Sequence, residues 1–110
     1  MSIEQADTVD FISIDEQSRR IVLTVSDHLD WERDPDSHLM LLQSKLNSYL
    51  RFVESGEIEK KFPEIKDRQI SIRVVGRFPM SEEAASFFRK TEAAVKKVGL
   101  VLEFELHSPN

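Results

Sequence analysis

Cysteine is absent from this 110-residue chain. That excludes disulfides, thiolate nucleophiles and Cys-based zinc or iron–sulfur sites together. Glycine and proline are scarce, with three and four residues, so neither a fibrous repeat nor Pro/Gly-rich disorder fits. No Gly-rich phosphate loop of the Walker or Rossmann kind occurs. No apolar run approaches the ~20 residues that a membrane-spanning helix needs. The opening MSIEQADTVD has neither the basic nor the apolar region of a secretory signal. A cytoplasmic protein with no membrane partner is the expectation. Positive charge is short as well: 15 Lys and Arg against 20 Asp and Glu give a formal charge of −5. A nonspecific nucleic-acid binder needs a basic surface to release counterions, so no nucleic-acid partner is expected.

What is present reads as one α/β domain over residues 1–110. The apolar fraction of 40% with 32% charged residues is that of a globular protein. A chain of this size buries roughly 60–68% of its unfolded surface, enough for one core without crosslinks.

Residues 1–7 are polar and read as frayed. Thr8 to Asp15, TVDFISID, alternates and is rich in β-branched residues, which predicts a strand. A short polar turn leads to RIVLTVS, Arg20 to Ser26, whose Ile21, Leu23 and Val25 share a side; the short connection implies an antiparallel hairpin. A long helix follows, with Asp34 as N-cap, Pro35 in the first helical position and Asp36 at the positive end of the dipole. Its apolar stripe is Leu39, Leu42, Leu46, Tyr49, Leu50 and Val53, and Gly56 suits a left-handed stop. Gln43, Lys45, Asn47, Ser48 and Arg51 read as its solvated face. Residues 57–62 allow a further helical turn. Gln69 to Phe78 is the third strand, with Ile70, Ile72, Val74 and Phe78 on its core side and Ser71, Arg73 and Arg77 on its polar side. Ser81 caps a second long helix, with a stripe of Ala84, Phe87, Phe88, Thr91, Ala94, Val95 and Val98, and Gly99 ends it. Leu100 to His107 is the last strand, with Glu103 and Glu105 placed to pair with the two arginines. The order ββαβαβ, with amphipathic helices and half-polar strands, predicts an α+β two-layer sandwich: a four-stranded mixed sheet with two helices on one face.

The strongest functional lead is Asp27–His38, DHLDWERDPDSH. It holds two of the three histidines, five of the twenty acidic residues and the only tryptophan. Ligands of open α/β sheets tend to bind beyond the carboxyl ends of parallel strands, where this loop, Arg77 and His107 should meet. The candidate binding residues are therefore Asp27, His28, Asp30, Trp31, His38 and Arg77. A metal reading takes His28, Asp30 and His38 as a two-histidine, one-carboxylate set suited to a divalent ion. Against it stands a solvated acidic loop that caps a helix, with Trp31 folded over the core edge. An acid–base pair of His28 with Asp27 or Asp30 is disfavoured because neighbouring side chains at a strand end point apart. No G-x-S-x-G elbow supports a hydrolytic triad. No catalytic residue is assigned and no cofactor is required.

The runs VDFISID, IVLTVSDHLDW and HLMLLQSKLNSYLRFVESGEI, continuing through KFPEI to the closing strand, resemble a family of small, mostly bacterial single-domain proteins of unknown function. The resemblance implies a stand-alone small protein and brings no activity with it. It draws interest to Asp27, His28, Trp31, Lys45 and Asn47, which fall within the recognisable runs. Small size, acidity and the lack of a catalytic motif lead to a non-enzymatic protein-interaction or accessory, immunity-like module, whose partner is another protein or a second copy in a homodimer. The alternatives are a small metal-dependent or acid–base enzyme, or a small-ligand binder, using the 27–38 loop.

Overall fold

Successive side chains of a strand alternate between two faces, and here the apolar members of three strands fall into register. The structure, a computed structural model, describes residues 11–63 and 68–107. Its strands are β1 (Phe11–Ile14), β2 (Ile21–Asp27), β3 (Ile70–Gly76) and β4 (Leu100–Leu106), joined by helices α1 (Pro35–Glu54), α2 (Glu57–Lys61) and α3 (Glu82–Lys96). The sheet order is β1-β2-β3-β4; β1 is antiparallel to β2, and β2, β3 and β4 run parallel. Thr8 to Asp10 of the first expected strand lie outside the described residues.

Three rows cross the parallel strands on one face: Ile21–Ile70–Leu100, Leu23–Ile72–Leu102 and Val25–Val74–Phe104. Leu42, Leu46 and Tyr49 of α1 and Ala84 and Phe88 of α3 join them in one buried cluster, so both long helices cover this face. The expected two-layer α+β arrangement is therefore observed, with the short α2 adding Ile58 to the same core. Tyr49 is fully buried and its hydroxyl donates to the Thr24 carbonyl at 2.8 Å, tying the middle of α1 to β2.

The helix boundaries follow from their caps. Asp34 accepts the Ser37 N–H and Ser81 accepts the Ala84 N–H, each satisfying one of the amides left over in a first turn. Gly56 follows α1 at φ 80°, the left-handed conformation that costs glycine little. Two stripe assignments need correction. Ala94 and Val98 are exposed, Val98 because α3 ends at Lys96 and the chain no longer keeps the helical phase. Lys45, assigned to the solvated face of α1, is instead fully buried, with its Nζ 5.6 Å from the Tyr49 ring centroid.

The second sheet face is crossed by a lattice of charges. Arg73 donates to Glu103, its register partner, at 3.2 Å, and Arg20 donates to the buried Ser71 hydroxyl at 3.1 Å while lying 3.9 Å from Glu103. The expected companion pair of Arg77 and Glu105 does not form. β3 ends at Gly76, one residue before Arg77, and Glu105 stands opposite Val75.

The fourth row of the helix-covered face is different from the other three. It reads Asp27–Gly76–Leu106. A Cβ on Gly76 would lie 2.7 Å from the Phe104 ring, so the glycine gives that ring its seat. Asp27, in phase with Ile21, Leu23 and Val25, points into the layer between sheet and helices.

Candidate functional site

Helical periodicity brings a partner to Asp27. The inward residues of α1 are His38, Leu42, Lys45, Leu46 and Tyr49, so His38 in the first turn projects onto the end of β2. Its Nε2 lies 2.8 and 2.6 Å from the two Asp27 carboxylate oxygens. Its Nδ1 lies 2.9 Å from the Asp30 carbonyl oxygen. A carbonyl can only accept, so Nδ1 carries a proton and donates it. A further proton lies between Nε2 and the carboxylate, whichever of the two is drawn as holding it. The pair is thus electrically neutral as a unit, which is the form that burial favours. Burial is nearly complete, with His38 at 2% and Asp27 at 4% exposure. Trp31 closes it off, its ring stacked on the imidazole at 3.4 Å between centroids and 15° between planes.

The acidity of the loop has a structural use. Asp27 also accepts the Leu29 N–H, Asp30 accepts those of Glu32 and Arg33, and Asp34 accepts that of Ser37. Each aspartate satisfies backbone two or three residues ahead, the habit that makes aspartate a turn and cap residue. The Arg33 N–H bond holds the Asp30 carboxyl below the usual carboxylate range against the opposing effect of burial, and the Glu32 N–H and the Arg33 charge add to the lowering.

Of the residues singled out from sequence, Asp27, Trp31 and His38 come together directly, and Asp30 joins them through its backbone carbonyl. His28 does not. It alternates to the other side of Asp27 and is exposed. Arg77 is exposed too, and its backbone N–H continues the ladder to the Asp27 carbonyl at 3.0 Å. The metal set of His28, Asp30 and His38 is not assembled. Both His38 nitrogens are occupied, the Asp30 carboxylate is turned to the backbone of its own loop, and among the described residues no group of three metal-capable side chains converges. The same occupancy removes His38 as a general base, since its imidazole has no lone pair to offer a substrate.

The loop so held borders an open cleft of about 460 Å³ at the carboxyl ends of the parallel strands, walled by Leu29, Leu41 and Phe78 with Arg33 and Arg77 at its rim. A second hollow of about 270 Å³ lies beside it, and His28 and Arg77 line both. Phe78, assigned to the core side of the third strand, is 40% exposed and faces the cleft because β3 stops two residues earlier. Sequence reasoning missed the exposure of Phe78 and, although the resemblance drew interest to Lys45, the burial of that lysine. Only the position of β3's end could have flagged the first, and the phase of Lys45, three residues after Leu42, the second.

Residues 1–108 match a family described as a family of unknown function, DUF6572. The chain belongs to that family. Comparison with curated proteins and with solved structures finds no match. Membership in DUF6572 accords with the resemblance drawn from SDHLDW and KLNSYL, the runs that hold the Asp27–His38 loop and the buried Lys45. No helix among the described residues is long and apolar enough to cross a membrane.

Two outcomes test the site. Asp27→Ala removes one member of a buried, hydrogen-bonded pair and should cost about 3–5 kcal/mol in denaturant unfolding. It should also change the emission of Trp31, the only tryptophan. The double variant Asp27→Ala/His38→Leu should lose less than the two single losses added, because neither partner is left stranded. Strict additivity would mean the two side chains act independently. The acid response follows from the lowered Asp30 carboxyl. Its contribution to stability is complete above the unfolded value near pH ~4 and is lost as pH falls through the lower folded value. Asp30→Asn keeps the acceptor oxygen but cannot be protonated, so it should move the acid-side change in Trp31 emission to lower pH. An unchanged midpoint would assign that change to another carboxylate.

Proposed function

We propose that this protein is a non-enzymatic recognition module of the cytoplasm, an accessory or immunity-like chain that engages a protein partner or a second copy of itself through the carboxyl-edge cleft. One observation carries the reading. The histidine and carboxylate best placed for chemistry are spent on each other and on the backbone, sealed under Trp31, and the loop they stiffen is a wall of an open cleft. General acid–base work needs a ring nitrogen open to the substrate; His38 borders the cleft, but it is 2% exposed and both of its ring nitrogens are already bonded within the fold. A fixed loop with an open, partly apolar surface is what a binding module requires, since order present before binding lowers the entropic cost of association. The formal charge of −5 adds a bias toward partners with basic surfaces.

Histidine modification tests this reading. With diethyl pyrocarbonate, followed by peptide mass spectrometry, His28 and His107 should react in the native protein, both being exposed. His38 should stay protected until the chain is unfolded. Modification of native His38 at the rate of His28 would show an accessible imidazole and overturn the non-enzymatic reading.

A further inference from the structure

The chemistry of the cleft can be narrowed by counting its charges, on the reading that the cleft is a binding surface. Two acids face it, Asp30 and Asp34, together with Arg33, Arg77 and the imidazole of His28. Asp30 is balanced by the neighbouring Arg33, whose charge acts on it, and by the two amides it accepts. Asp34 caps α1, a helix of 20 residues, and so lies at the end that carries roughly half a positive charge. Arg77 has no such balance: its guanidinium makes no hydrogen bond or ion pair with any described residue. Beside it stand Phe78, Leu29 and Leu41, the apolar wall of the same cleft.

We infer that the cleft takes a carboxylate carried on an apolar or aromatic group, with Arg77 as its anion-binding residue. A guanidinium presents parallel N–H donors that match a carboxylate's two oxygens, and such charge-assisted pairs are stronger than neutral ones. The charge count selects a monoanion. A phosphate, carrying close to two charges, would meet one unbalanced arginine with Asp30 and Asp34 near by. A cation would meet Arg77 itself. The volume of about 460 Å³ falls within the range of small-molecule pockets and holds one ring and its carboxyl group. The carboxylate has two sources, a free small acid or the terminal carboxylate of a partner chain ending in an apolar residue.

Titration of the full chain with matched probes, followed through the backbone amides of Leu29 and Phe78 and the Arg77 side-chain Nε–H in ¹H–¹⁵N spectra, tests the inference. The probes are phenylacetate and phenylacetamide, and an N-acetylated dipeptide ending in phenylalanine as its acid and as its amide. At least one acid should shift these signals saturably and bind about tenfold or more tighter than its amide, the discrimination one charge-assisted hydrogen bond supplies. Whichever acid binds more tightly identifies the source. Arg77→Gln should abolish the preference for acid over amide, and its fold should hold because the side chain is exposed and the backbone N–H to Asp27 remains. Equal binding of acid and amide, a preference that survives Arg77→Gln, or no saturable shift with either acid would overturn the inference. His38 protection, read on the same samples, separates the two failures: loss of acid preference with His38 still protected rejects the ligand class alone, whereas a reactive His38 rejects the recognition reading.

Discussion

The hydrogen bond between Asp27 and His38 joins the last residue of β2 to the first turn of α1, and the geometry of everything at the carboxyl edge of the sheet depends on it. Above it lie three apolar rows that stabilise the fold by burial alone. At the fourth row the core could have ended in another aliphatic side chain. A polar pair stands there instead, and its donors and acceptors are consumed: Nδ1 by the Asp30 carbonyl, Nε2 by the carboxylate, and the carboxylate also by the Leu29 N–H. A satisfied buried pair of this kind is close to neutral against a hydrophobic replacement, yet costs several kcal/mol to break from one side. Its effect is therefore less on total stability than on which conformation the loop adopts.

That distinction bears on function. An apolar fourth row would pack the helix against the sheet and leave the Leu29 N–H and the Asp30 carbonyl without their partners. With Asp27, Asp30 and Asp34 each accepting amides from the segment ahead, the loop has one hydrogen-bonded path from β2 to α1. Trp31 is drawn in over the imidazole, and His28 and Arg33 are left at the surface. Residues that look like chemistry in the sequence are thereby converted to structure. The groups left to meet a ligand are Arg77 and the apolar wall around Phe78.

Much of this was legible in the sequence. Strand alternation and helix caps located every described strand and both long helices to within a few residues. The acidic loop was recognised as the place to look. The pairing of Asp27 with His38 was legible in principle, since one is in phase with Ile21, Leu23 and Val25 and the other lies four residues before Leu42. Grouping Asp27–His38 as one cluster hid that phase, although the Asp34–Pro35 start places His38 in the first helical turn, and it joined to them His28, which alternation places on the opposite side. Lys45 was misassigned because charge outweighed position: its helical phase points inward, and a lysine stem can lie along an aromatic ring such as Tyr49. The exposure of Phe78 was not legible, because it depends on β3 stopping at Gly76, where the Phe104 ring occupies the glycine's open side.

The central claim is that both ring nitrogens of His38 are held in hydrogen bonds inside the fold. Long-range ¹H–¹⁵N correlation of the imidazole, on protein labelled at histidine, observes them directly. The expected result is a His38 ring with a proton retained on Nδ1 and a second in the bond to Asp27, both exchanging slowly with water, while His28 and His107 average rapidly. A His38 ring that loses its Nδ1 proton at neutral pH, or exchanges as fast as the two exposed histidines, would contradict it.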